Sequence, residues 1–227
     1  MKILAFETSS VACSVALQNG QQTEMLHEIA ISKQGRLILP MIQALLERHA
    51  LKLNQLDAIA YGCGPGSFTG IRIASSIVQG LGFVSQLPII PISSLAALAL
   101  SIFMEKHCDK LLVAVNAHAE QVYWATYLIK NGYAELVGQE LACRPEDTQK
   151  PVISEENDWV GVGDGWEKYR EKLLHHQLSS IYSQHFPTAE AVLELAKAKL
   201  QHNDWVRPKD AIPVYLTRGI SAAKDNF

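Results

Sequence analysis

One series of signals occurs twice in this chain, half a chain apart, and that repeat constrains the fold more than any other feature. Residues 2–6 form a short apolar run and residues 11–17 a second, alternating one. Asn19-Gly20 follows, and residues 23–29 complete the set. The order then returns: an apolar run at 111–115, an aromatic and β-branched run at 122–129, Asn131-Gly132, and a third run at 133–141. Asn-Gly between apolar runs marks a two-residue hairpin, because both residues tolerate the positive φ of a type I′ turn. Two copies at half-chain spacing point to a duplicated unit. They predict two lobes, residues 1–105 and 106–227.

Helical signals lie between and after the hairpins. In 32–51, Leu37, Ile38, Met41, Ile42, Leu45 and Leu46 recur at helical spacing. A strand at 57–61 leads to a helix at 68–84, then a strand at 89–92 and a helix that Ser93 caps, running to about residue 104. Later come a strand at 159–162, a turn at Gly163-Asp164-Gly165, a helix at 166–174, and a helix at 189–202 opened by Thr188. The tail from 208 to 227 reads as extended or partly disordered. Hairpins followed by alternating helices and strands build an α/β mixed sheet covered by helices. Used twice, that layout is similar to the ribonuclease-H-like lobes of sugar kinases and actin.

The bulk numbers narrow the function classes. A net charge of −3 over 227 residues lacks the basic footprint of a protein that grips nucleic acid unaided. Cys13, Cys63, Cys108 and Cys143 form no Cys-x-x-Cys pair, which argues against zinc and redox motifs. The longest apolar stretch, 87–104, is broken by Pro88, Pro91 and three serines, and a membrane span needs about 20 mostly apolar residues. The opening residues do not read as a secretory leader. A cytoplasmic protein is expected.

The densest signal is Gly62-Cys63-Gly64-Pro65-Gly66-Ser67-Phe68-Thr69-Gly70-Ile71-Arg72, between a strand and a helix. Ser67 is a good N-cap. Free N–H groups at a helix start favour an anion, while glycines equally permit a tight structural turn. Both readings stand. A Walker loop is excluded, since no lysine occurs from residue 53 to 86. The Gly spacing also fails the dinucleotide fingerprint. Gly66, Gly70 and Ala74 lie four apart, so another helix can approach closely, from this chain or from a partner. The 32–51 helix is apolar around much of its circumference, with Leu39 off the main stripe. It is either buried twice within the chain or docked on another protein. Pro40 is expected to kink it near Arg36.

These residues resemble the TsaB proteins, also called YeaZ. Residues 3–17 are similar to that family's first hairpin, and Gly64 to Arg72 to its most specific signature: Gly64, Pro65, Gly66, Ser67, Phe68, Thr69, Gly70 and the two residues after. Leu39-Pro40-Met41, Val122-Tyr123-Trp124 and Pro213-Val214-Tyr215-Leu216 match as well. The resemblance implies two lobes of the actin-like ATPase (ASKHA) class. It implies a non-catalytic subunit that pairs with a catalytic paralogue, TsaD, and with an ATPase, TsaE. TsaD forms threonylcarbamoyladenosine beside the anticodon of tRNAs reading codons that begin with A. The implied pairing surface is the first two helices, represented here by Arg36, Leu37, Pro40, Met41, Gly70, Ile71, Ala74 and Val78. A bulky residue at Gly70 or Ala74 is then expected to split the complex and spare the monomer. The same surface is expected to pair two copies when the partner is absent. Contact with tRNA comes only through the complex. Glu7, Thr8 and Ser9 stand where a vestigial nucleotide loop would lie. The chain departs from the family at Glu7 (usually Asp), Gln34 (often His) and Asn116-Ala117-His118 (commonly Asp-Ala-Arg).

The rival reading is an enzyme. No two of the eight histidines lie four apart, so the paralogue's metal-binding His-x-x-x-His pair has no counterpart. His175-His176 read as solvated surface. A kinase needs a carboxylate base, a Mg²⁺ site and phosphate loops in both lobes. The second lobe offers only Gly161-Val162-Gly163-Asp164-Gly165. No metal and no cofactor are expected.

Overall fold

The computed structural model describes residues 1–149 and 158–216. The chain divides into two compact units. The first is Met1–Ala97 with Pro187–Pro213, and the second is Leu98–Phe186 with Val214–Phe227.

The first unit holds a five-stranded sheet. Its strands are β1 (Lys2–Glu7), β2 (Ala12–Asn19), β3 (Gln22–Ile29), β4 (Ala58–Gly64) and β5 (Ile89–Ser93), in the order β3-β2-β1-β4-β5. The hairpin strands pair antiparallel, and β1–β4 and β4–β5 pair parallel. The parallel joins require crossovers, which helices α1 (Gln34–Arg48) and α2 (Phe68–Ser85) are placed to supply. Strand alternation decides what covers each face. On β2, Cys13 Sγ meets Met41 Sδ of α1 at 3.8 Å, while the next residue, Ser14, accepts a hydrogen bond from Ala189 N at 2.8 Å. Ala189 opens α6 (Ala189–Gln201), which lies against β1, β2, β4 and β5. Helices thus cover both faces, and β1, buried almost throughout, reads as an unbroken apolar run.

The second unit repeats this plan with β6 (Lys110–Asn116), β7 (Val122–Lys130), β8 (Tyr133–Cys143), β9 (Val160–Val162) and β10 (Ser180–Tyr182). Their order, β8-β7-β6-β9-β10, has the same antiparallel and parallel joins as the first sheet. The duplication read from the sequence therefore extends to strand order and direction. Leu112, Ala114, Trp124, Trp159 and Trp166 form its core, and the Trp166 indole donates to Leu112 O at 3.0 Å. Helix α3 (Ser94–Lys106) spans the boundary between the units. Among the described residues, no helix is long and apolar enough to cross a membrane.

Several boundaries differ from the sequence reading. The division is not 1–105 and 106–227, because Thr188 caps α6 onto the first sheet and buries Ala189, Val192, Leu193 and Ala196 there. The first hairpin turns at Gly20-Gln21, since Asn19 pairs with Gln22. Only Gly20 of that pair has positive φ (+66°), as a type II′ turn requires. Asn131 (+51°) and Gly132 (+79°) do form the expected doubly positive turn. The helix expected over 166–174 is two short ones, α4 (Gly165–Lys168) and α5 (Arg170–Leu173), separated by Tyr169 at φ −118°. The 208–227 tail begins with a single 3-10 turn at Pro208–Asp210; residues 217–227 lie outside the described residues.

Candidate functional site

The signature residues converge where β1 ends. Phe6 pairs with Tyr61 in the parallel β1–β4 register, so the next step sets Glu7 beside Gly62. Glu7 is 1% exposed. Its Oε1 accepts from Ser9 N at 2.5 Å and its Oε2 from Ser94 Oγ at 2.9 Å. Ser94 Oγ in turn accepts from Gly64 N at 3.3 Å. A Cβ on Gly62 would sit 1.8 Å from Glu7 Oε2. Burial pushes the Glu7 carboxyl above its ordinary value near 4.5, opposed by hydrogen bonds from Ser9, Ser94 and Thr8.

The following residues close the junction. Thr8 Oγ1 donates to Gly70 O at 2.8 Å, and Ser67 N donates to Ser9 O at 2.7 Å. Ser67 Oγ caps α2 by accepting from Gly70 N at 3.4 Å. A Cβ on Gly66 would lie 2.6 Å from Ser9 O, and one on Gly70 would lie 2.0 Å from Thr8 O. Three amides that an anion cradle would present, those of Gly64, Ser67 and Gly70, are therefore bonded to Ser94, Ser9 and Ser67. Of the two readings left open, this geometry supports the tight structural turn. The buried Glu7 carboxyl takes up the Ser9 amide as well.

The first two helices lie side by side, with Ile73 Cδ1 3.4 Å from the Cβ position of Gly35. Their outward and inward faces correct the expected pairing residues. Met41, Gly70, Ile71, Ala74 and Val78 are buried in the first unit's own core. Gly70 is small because Thr8 O lies against it, not because a partner helix does. Arg36 and Pro40 are exposed and Leu37 half-buried. The outward face also carries Leu39 (50% exposed), Phe68 (48%), Phe83 (76%), Ser76 and Gly80. The Arg72 guanidinium lies 3.6 Å from the Phe68 ring centroid. Gln34 is buried and donates from Nε2 to Ser10 O at 2.8 Å, so it fastens α1 to the loop after β1.

In the second unit the Gly161–Gly165 turn is also structural. Cβ atoms on Gly163 and Gly165 would lie 2.5 and 2.7 Å from Ala114 O. Asp164 accepts from Asn116 N at 2.7 Å, and Asn116 Oδ1 accepts from Lys168 Nζ at 2.8 Å and Tyr169 Oη at 3.2 Å. His176 is not solvated surface. It is 6% exposed, stacks on Trp124 with ring centroids 4.9 Å apart, and shares a 2.8 Å hydrogen bond with Thr148 Oγ1. Ser94 was missed from the sequence because Ser93 carries the capping signal; Ser93 Oγ does accept from the Leu95 and Ala96 amides. Among the described residues, no group of three His, Cys, Asp or Glu side chains is placed to hold a metal ion.

Two sheets of one strand order, helix-covered and joined as a duplicated chain, define the ribonuclease-H-like lobes of the actin-like ATPase class. A family model described as TsaD, tRNA N6-adenosine threonylcarbamoyltransferase, matches residues 24–219. The chain is 33% identical to the tRNA threonylcarbamoyladenosine biosynthesis protein TsaB of Escherichia coli, covering 99% of this chain and 98% of that protein. It is 32% identical to the TsaB of Haemophilus influenzae, covering 99% and 97%. The solved structure of YeaZ from Pseudomonas aeruginosa superposes with a TM-score of 0.90 at 36% identity, covering 95% of this chain and 99% of that one. The chain belongs to the TsaB family.

Proposed function

We propose that this chain acts in tRNA threonylcarbamoyladenosine biosynthesis as a non-catalytic subunit that binds and supports the catalytic paralogue TsaD. The observation that carries the reading is the Glu7 junction. A phosphate site needs backbone N–H groups left without an internal partner. Here Glu7, Thr8 and Ser9 are bonded to the glycine loop and to Ser94. What the first lobe does present is an outward helical face with Arg36, Leu39, Pro40, Phe68, Arg72 and Phe83. Exposed apolar residues, one of them covered by an arginine, suit a protein partner. With a net charge of −3, tRNA is met through the complex. TsaE, the ATPase, joins the pair, and the complex works in the cytoplasm.

Titration of TsaD with the wild-type chain and with Phe68→Ser tests this face. Weaker binding by a folded Phe68→Ser chain supports it, and unchanged affinity refutes it. The same face pairs two copies when the paralogue is absent. Sedimentation velocity over a concentration series reads that association, and a concentration-independent monomer rules it out.

A further inference from the structure

We infer that residues Arg207–Pro213 act as a strap that sets the position of α2, and that Tyr61 and Gln79 are the positioning residues that read it. The segment enters along the sheet edge, where Val206 and Ile89 of β5 exchange backbone hydrogen bonds of 2.8 and 3.1 Å. It then makes the 3-10 turn Pro208–Asp210, braced by Arg207 Nε on Asp210 Oδ2 at 3.0 Å. That turn packs on α2 at Gly82, where a Cβ would lie 2.8 Å from Ile89 Cδ1 of β5 and 2.9 Å from Pro208 Cγ. Helix, strap and β5 meet at a point that leaves room only for a hydrogen.

Two consecutive strap carbonyls are then received by side chains from two different elements. Ala211 O accepts from Gln79 Nε2 of α2 at 3.1 Å, and Ile212 O accepts from Tyr61 Oη of β4 at 3.1 Å. Ala211 itself is fully buried. Tyr61 is a core residue, 0% exposed, where a phenylalanine ring would fill the same space. Its hydroxyl has a specific task as a donor, and burial raises its pKa above the ordinary phenol value. The strap is thus tied to the sheet through Tyr61 and to the helix through Gln79 and Gly82. Two ties in the C-terminal half of α2, at Gln79 and Gly82, with the strap itself held to the sheet by Tyr61, fix the helix rotation. Rotation decides how Arg72, Ser76, Gly80 and Phe83 face outward. The functional consequence rests on the proposed docking face.

The test uses the full chain carrying Tyr61→Phe with Gln79→Met, and separately Gly82→Ala, which crowds Pro208 of the strap and Ile89 of β5 without removing a donor. Hydrogen exchange on the isolated chain reads the helix, and titration with TsaD reads the face. Both variants are expected to speed amide exchange selectively in residues 79–85 and to weaken TsaD binding roughly tenfold. Exchange that is unchanged, or faster evenly across the chain, overturns the strap. Wild-type TsaD affinity in both variants overturns its role in docking. Arg72→Glu is run beside them. If it too leaves affinity unchanged, the docking face is wrong, and the exchange data alone decide the strap.

Discussion

Glu7 lies where a side chain on residue 62 would have to go: a Cβ built on Gly62 falls 1.8 Å from Glu7 Oε2. The glycine and the carboxylate are one device, so their substitutions should not add. Gly62→Ala forces a buried carboxyl out of a site with no slack, and Glu7→Ala leaves Ser9 N and Ser94 Oγ without their acceptor. The double variant is expected to be more stable than the sum of the singles by about 1–3 kcal/mol, measured by denaturant unfolding.

The raised Glu7 pKa gives stability a pH signature. The unfolded carboxyl ionises near 4.5, and the folded one only at higher pH, because burial disfavours the charge. The unfolded state therefore loses its proton first, and this group's contribution to stability falls as pH rises from about 4.5 to the folded pKa. Glu7→Gln removes that loss. The difference in melting temperature between Glu7→Gln and the wild type should grow in favour of the variant over that window. A constant difference from pH 4 to 8 would contradict it.

Gly70 answers to Thr8 and not to a partner. A Cβ there would fall 2.0 Å from a backbone oxygen, which has no rotamer to yield. Gly70→Ala is expected to destabilise the isolated chain by at least about 1–3 kcal/mol. This replaces the expectation that such a change splits a complex and spares the monomer. Thermal unfolding of the purified chain decides between them.

Arg72 is the opposite case. It is exposed and rests on Phe68, a surface cation–π contact worth about 0.5–1 kcal/mol, and Arg72→Glu buries no charge. The melting temperature should barely move while affinity for TsaD falls at least roughly tenfold, because one charge in the docking face reverses.

Much of the fold was legible because local signals and global topology agree. The repeated hairpin grammar foretold a duplicated unit in two lobes, and Ser67 and Thr188 cap the helices they were expected to cap. What escaped depended on facts that periodicity does not carry. The helical spacing of Met41 and Ile71 marks a buried stripe without saying what buries it, and here the chain's own core does. Register, not dipeptide identity, placed the first turn at Gly20-Gln21. Three-residue β10 is too short for a period. His175-His176 looked solvated because adjacent helical residues diverge; α5 ends at Leu173, and the loop lets His176 turn in onto Trp124. The Glu7 junction draws residues 7, 62, 66, 70 and 94 from four elements, and no linear pattern joins them. Only the glycines, placed where nothing larger fits, left a trace in the sequence.

The central claim is that this chain is required in tRNA threonylcarbamoyladenosine formation without performing the transfer. The most direct measurement is reconstitution with one omission: TsaD, TsaE, threonylcarbamoyl-adenylate and tRNA, with and without this chain, scored by modified adenosine. The account predicts modification only when the chain is present, and none from the chain alone. Full modification in its absence, or any modification by the chain unaided, would contradict it.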